Sequence, residues 1–230
     1  AGQLVIGTRN AVLDGQLLGQ VYQGERQTQA PRAVLDGYAQ RQTALARRGQ
    51  LIVGGYDAAY VAAAGGVLYG LNPLLDQVQI GIERPLGDND AGLTGVVSEA
   101  RNGKLFLDAA QLSDWQLGAL KVAAKERIGV DGAVTVGNGG DITLYAPQVQ
   151  VNADLIARGG SLHVGNVLNQ LNTDRVTDTR IVAPAGTTTG VRVAEKVQLD
   201  TRGLWSNLRT DPDDASSLAY LDGGVISIRS

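Results

Sequence analysis

The sequence predicts an all-β fold, a parallel β-helix (solenoid) with polar loop insertions, on three observations. The first is a repeated strand pattern. Ala119-Leu120-Lys121-Val122, Asp141-Ile142-Thr143-Leu144 and Ser161-Leu162-His163-Val164 each follow a glycine, at 118, 140 and 160, and each alternates polar with apolar. Period-two alternation marks a strand with one buried face. The second is the interval. Leu120 to Ile142 is 22 residues and Ile142 to Leu162 is 20, and a strand that returns at such a spacing marks a coil-by-coil solenoid. The third is the content of one period. Ile142 and Leu144, Val149 and Val151, then Leu155 and Ile156 are separated by Ala146-Pro147 and Asn152-Ala153-Asp154. The preceding coil has the same form, with Leu120 and Val122, Ile128 and Val130, Val134 and Val136. Three pieces per period give three faces per turn, and coils stack at the strand spacing of about 4.8 Å common to all sheets.

Composition agrees with a narrow core. Among 230 residues there are 31 Gly, one Phe and 4% aromatics, which suits tight corners and a thin interior. An α/β enzyme of this length would carry more Phe and Met. Cys is absent, so neither a disulfide frame nor a Cys-based metal site is available. Met is absent too, and the chain opens on the strand-like phrase Gly2-Gln3-Leu4-Val5-Ile6-Gly7. We therefore expect an excerpt of a longer protein or a processed product, whose lack of a visible signal peptide says nothing about export. No apolar run reaches the length of a membrane span, and no membrane insertion is expected. Net charge is −3 and the basic residues are scattered, with only Arg47-Arg48 adjacent. A nucleic-acid partner would need a basic stripe, and the sequence shows none.

In chain order, Leu4 and Ile6 mark an opening strand, and Gln16 to Tyr22 is a second candidate. Gln23 to Arg32 is polar, holds a proline and reads as a loop leaving the rod. Val34-Leu35-Asp36-Gly37 repeats Val12-Leu13-Asp14-Gly15, and Gly49-Gln50-Leu51-Ile52-Val53-Gly54 repeats the opening phrase almost letter for letter. Thr43 to Arg48 reads as a short helix or a loop. Tyr56 to Leu71 is ambiguous between strand and helix. Val78, Ile80 and Ile82 alternate as a strand stopped by Pro85; 87–95 is a turn or loop, and Gly103 to Asp108 opens another coil. Over Ala109 to Lys125 two signals conflict. Ser113-Asp114-Trp115-Gln116 resembles a capping box in helix-favouring company, whereas Leu120 and Val122 fall in register with later coils. Repeat register is expected to win, which predicts strand. Asn166 to Arg180 breaks the period and reads as an insertion. Strands resume at Ile181-Val182 and Gly190-Val191-Arg192-Val193, and 208–218 is a further polar insertion. A glycine-led strand, Gly224-Val225-Ile226-Ser227-Ile228, closes a single segment running over 1–230.

The phrases GGDITLYAPQVQVNADLIARGGSLHV from Gly139, VQLDTRGLWSN from Val197 and YLDGGVISIRS from Tyr220 together resemble the repeat region of filamentous-haemagglutinin-like exoproteins. The resemblance is clearest over 103–230. Leu199 to Asn207 and Asp222 to Ile228 are similar to that family's rod phrases. The resemblance implies a right-handed parallel β-helix, secreted and displayed on the bacterial cell surface by two-partner secretion. It also implies an outer-membrane β-barrel transporter as partner of the full-length protein. A role in cell adhesion and virulence follows, against a host-cell or biofilm glycan or receptor. The family's Asn-rich export motif has no counterpart here, which points to an internal or later rod segment. Two alternatives stay open: a β-helix polysaccharide lyase or hydrolase, and the stalk of a contact-dependent growth-inhibition toxin.

The candidate chemistry is thin. His163 is the only histidine, and its neighbours Leu162 and Val164 place it on the outward face. A His-based serine triad would need it, and no G-x-S-x-G is present. Asp211, Asp213 and Asp214 beside Pro212 are compatible with calcium, but read more simply as a turn-forming loop. Gly137 to Asp141 resembles one glycine-aspartate calcium repeat, a motif that works in tandem, so it reads as a corner turn. Lys121, Thr143 and His163 share an outward column with Asp141 nearby, the one constellation an enzyme would use. It lacks the paired carboxylates of glycoside hydrolysis. Trp115 and Trp205 read as packing at a rod edge or under a loop. Tyr22, Tyr38, Tyr56, Tyr60 and Tyr69 crowd the first third and offer a sugar-stacking surface. The sequence therefore predicts a non-enzymatic protein and assigns no catalytic, cofactor-binding or metal-ligating residue and no cofactor.

Overall fold

The computed structural model describes residues 2–13, 15–21, 47–61, 66–81, 99, 101–172, 175–205 and 220–230. Strands β1 (Gln3–Ile6) and β2 (Gln50–Val53) carry the two copies of the opening phrase. A hairpin of β3 (Gly55–Val61) and β4 (Gly66–Asn72) follows, then β5 (Leu75–Gly81) and β6 (Lys104–Asp108). A short helix, α1 (Ala109–Asp114), leads into the long strand β7 (Ala119–Val130). Next come β8 (Val134–Thr135), β9 (Asp141–Tyr145), β10 (Gln148–Val151), β11 (Leu155–Ile156) and β12 (Leu162–Gly165). A second hairpin, β13 (Leu168–Asn172) with β14 (Arg175–Thr179), precedes β15 (Gly190–Val193) and β16 (Leu199–Asp200). The pair β17 (Leu204–Trp205) and β18 (Tyr220–Leu221) is followed by β19 (Ile226–Arg229). The described residues are thus all-β apart from α1.

Three parallel sheets organise these strands. Sheet I runs β1-β2-β7-β9-β12-β19. Its register lines up Leu4, Leu51, Leu120, Ile142, Leu162 and Ile226 in one row, and Ile6, Val53, Val122, Leu144, Val164 and Ile228 in another. Sheet II runs β6-β5-β7-β10-β15, with Val78, Ile128, Val149 and Val191 in one inward row. Sheet III is β8-β11-β16. Strand β7 serves two sheets by bending at Ala123-Ala124, both fully buried. The stretches 119–135, 141–156 and 162–200 each visit sheets I, II and III in that order. The inward rows of the three sheets meet in one aliphatic core, where Leu120, Ile142, Leu155 and Leu162 are at most 1% exposed. Each such side chain contributes roughly 1.5–3 kcal/mol by leaving water.

The corner before sheet I explains the recurring glycine. Gly140, Gly160 and Gly224 stack so closely that a Cβ on Gly160 would fall on the carbonyl oxygen of Gly140, and one on Gly224 on that of Gly160. On the side of β2 the same corner is tied by backbone bonds. The Gly118 N–H donates to the Gly49 carbonyl, and the Gly49 N–H to that of Gly19, both at 2.7 Å.

The expectation of strand across Ala109 to Lys125 needs correction in its first half. Residues Ala109–Asp114 are helical, and the strand starts at Ala119. The helix cap is Asp108, whose carboxylate accepts from the Gln111 N–H at 2.8 Å. Ser113 lies in the last turn, not at a cap. Its hydroxyl donates to the Ala109 carbonyl at 2.9 Å and accepts from the Thr135 N–H of β8 at 3.0 Å. Helix α1 therefore lies along β8 and gives one of its backbone donors a partner, a known way to cover a sheet edge. Leu112 and Ala109 enter the core, so packing supplies what repeat register did not.

Other expectations divide. Residues 16–21 form no strand; Gly19 presses against the Trp115 carbonyl and Leu117 instead. Tyr56 to Leu71 resolves into the β3–β4 hairpin, and the insertion expected near 166–180 is the β13–β14 hairpin. The segment at Gly103 is a strand, but it joins sheet II beside β5. Insertions 23–32 and 208–218, the loop 87–95, the second VLDG phrase, 41–46 and Ile82 lie outside the described residues.

Sheet III carries the most strongly held carboxylate among the described residues. Asp200 is 6% exposed and accepts from Arg202 at 2.8 Å and Arg158 at 3.1 Å. Those bonds, led by Arg202, hold its carboxyl well below its ordinary value of 3.8. A depressed carboxylate stabilises the fold above its unfolded pKa, and that contribution fades as pH falls below it. Urea titrations of the parent and of Asp200→Asn should therefore differ at neutral pH and converge below about pH 3.8. A gap that is constant between pH 7 and pH 2 would refute the assignment.

Candidate functional surfaces

The outward row of sheet I places Val5, Ile52, Lys121, Thr143, His163 and Ser227 side by side. The expected column of Lys121, Thr143 and His163 therefore exists. It is built into a partly covered wall. The two hairpins lie over this face and enclose a second small apolar cluster of Ile52, Leu71, Ala123 and Tyr145. They are joined through Gln170, whose amide accepts from the Leu71 N–H at 2.7 Å and donates to the Leu71 carbonyl at 3.0 Å. Asn166 closes the base of the β13–β14 hairpin by bonding both the carbonyl (2.9 Å) and the N–H (3.1 Å) of Ile181. Arg229 of β19 pairs with Asp178 of the same hairpin, holding that carboxyl below its usual range.

Within this wall the candidate groups have structural duties. Lys121 Nζ sits 5.4 Å above the Tyr56 ring, a cation–π geometry. Asp141 accepts from the Ser161 N–H at 3.0 Å, tying β9 to the start of β12. Lys121 and His163 flank Thr143 two strands apart, on the order of 10 Å, too far for direct proton exchange. Thr143 itself is 6% exposed. The Tyr145 hydroxyl donates to Thr179 Oγ1 at 3.1 Å, and burial pushes its pKa up, so it stays a hydrogen-bond donor. The grouping is real, but it presents no nucleophile beside a base.

The remaining candidates are placed as follows. Trp115 is 4% exposed and packs in the main core; its indole N–H has no partner among the described residues. It is a core residue, not a sugar platform. Tyr56 is half-buried against Lys121. Tyr60, Tyr69 and Trp205 lie on described strands by backbone alone, and Tyr22, Tyr38 and the Asp211, Asp213, Asp214 cluster lie outside the described residues. Gly137 to Gly140 is a corner turn, closed by the Gly140 N–H on the Gly137 carbonyl at 2.8 Å.

The outward face of sheet II is a different kind of surface, which the sequence reading passed over. Gln77, Arg127 and Gln148 share one row that ends at Gly190; Gln79, Gly129, Gln150 and Arg192 share the next. A hollow of about 310 Å³ lies between Arg127 and Arg192, floored by Gln148 and Gln150 and walled by Thr188 and Thr189. A second, about 150 Å³, lies between Arg127 and Lys104 beside Phe106. The signal was present in the alternation of Gln148-Val149-Gln150-Val151 and Gly190-Val191-Arg192-Val193, whose polar members all project outward. A comparison of the chain with family models, with curated proteins and with solved structures found no match.

Proposed function

We propose that this chain is a right-handed parallel β-helix, a structural rod segment of a secreted, surface-displayed filamentous adhesin exported by two-partner secretion through an outer-membrane β-barrel transporter. The observation that carries this reading is the in-register parallel stacking of sheet I, in which the apolar rows of Leu120, Ile142 and Leu162 and of Val122, Leu144 and Val164 continue from strand to strand. The mechanism is mechanical. Coils stacked through continuous backbone pairing give stiffness, and the inserted hairpins and the outward faces of the sheets provide surface for a host-cell or biofilm glycan or receptor.

Antibodies raised against residues 1–230 should label intact source cells, and deletion of the transporter gene should abolish that label. Label confined to the cell interior would refute the reading. A release of reducing ends from polysaccharide incubated with the purified chain would replace it with the enzyme alternative.

A further inference from the structure

We propose that the outward face of sheet II binds an acidic polysaccharide of low charge density, one bearing a carboxylate on alternate sugars. Arg127, Arg192 and Lys104 line the two hollows, and no acidic residue does among the described residues, in a chain whose net charge is −3. None of the three cations forms an ion pair among the described residues. Two carboxylates border this face and are held by its own amides. Glu126 accepts from Gln77 at 3.1 Å, and Asp131 accepts from Gln79 and from Asn152. Arg127, Arg192 and Lys104 against Glu126 and Asp131, three cations to two carboxylates, leave the described part of the face with an excess of positive charge.

Between the cations the surface is amide and hydroxyl, the chemistry that meets sugar hydroxyls. Gln148 is oriented by its bond to the Thr188 carbonyl at 2.9 Å, and Gln150 by its bond to Asn152 at 3.2 Å. Arg127 and Arg192 are two strands and two residues apart, so their backbones are separated by roughly 12 Å. That spacing suits anionic groups separated by a neutral sugar. A densely sulfated chain or a nucleic acid would call for a continuous basic stripe, and guanidinium favours paired bonds to a planar carboxylate. Two outward glycines shape the trough. The Gln79 side chain fills the space above Gly129, whereas a Cβ at Gly190 would meet nothing within 4 Å, leaving the trough open at that end.

The proposal deepens the adhesin reading by naming a ligand class, and the two fail separately, since surface labelling tests the rod and binding by the purified chain tests the trough. Calorimetry with a hyaluronan oligosaccharide should show binding, with none to neutral dextran. Arg127→Gln and Arg192→Gln should each weaken it about tenfold, as loss of a charge-assisted bond predicts. Gly190→Trp should block the trough while the chain still folds, and the exposed hairpin change Arg175→Gln should have no effect. No hyaluronan binding would overturn the proposal, as would equal affinity for heparin or single-stranded DNA. Binding that survives both arginine changes would also overturn it, and that pair remains decisive should Gly190→Trp fail to fold.

Discussion

Gly160→Ala should destabilise the protein by about 3 kcal/mol or more, a large share of the roughly 5–15 kcal/mol that holds a typical domain together. The added methyl meets the carbonyl oxygen of Gly140 and its flanking backbone atoms, not the far end of a flexible side chain. That carbonyl cannot retreat cheaply. It belongs to a corner turn whose own N–H bonds Gly137, and the next residue begins a paired strand. Gly160 is equally fixed, with its N–H on the Ala157 carbonyl at 2.9 Å. Relief would require parting β9 and β12, which are held at the sheet spacing. Gly190→Ala is the matched control. Its Cβ enters open space with no left-handed backbone to oppose it, so it should be neutral or stabilising by up to about 1 kcal/mol. Chemical denaturation of both variants checks the pair, and a Gly160→Ala protein as stable as the parent would show that the corners do not stack as closely as described.

The same corner shows which features were readable from sequence. The period announced itself because each of these strands of sheet I follows a glycine at a close backbone approach and then alternates. That pattern recurs at 118, 140 and 160 and places Leu120, Ile142 and Leu162 in one row. The duplicated GQLVIG phrase likewise pairs Gln3 with Gln50 and Ile6 with Val53. What escaped was decided by contacts remote in sequence. Strand β6 joins sheet II out of chain order, and helix α1 replaces a strand beside β8 because Asp108 caps it and Leu112 finds the core. Neither event repeats, so neither leaves a period. The outward column of Lys121, Thr143 and His163 was legible from alternation. That hairpins would cover it was not, because the covering residues Leu71 and Leu168 lie in segments whose local pattern has no fixed partner.

Ile142→Ala should cost about 2–5 kcal/mol, and Ile226→Ala in the same row under 1 kcal/mol. The two side chains are chemically identical and occupy matching positions, separated by Leu162. Only their neighbours differ. Ile142 is fully buried between Leu120 and Leu162, so truncation leaves a cavity that β-strands on both sides prevent from collapsing. Ile226 is 42% exposed with a strand on one side only, and its truncation opens to solvent. Within sheet I each strand pairs only with the strand on either side of it, so the damage should also be local. Hydrogen exchange of Ile142→Ala should show protection lost first in β7, β9 and β12, with β1 affected least. A uniform loss over every strand would mean that the sheets unfold as one unit and that nearest-neighbour stacking is not the source of stability. Equal costs for the two substitutions would mean that Ile226 is covered in solution.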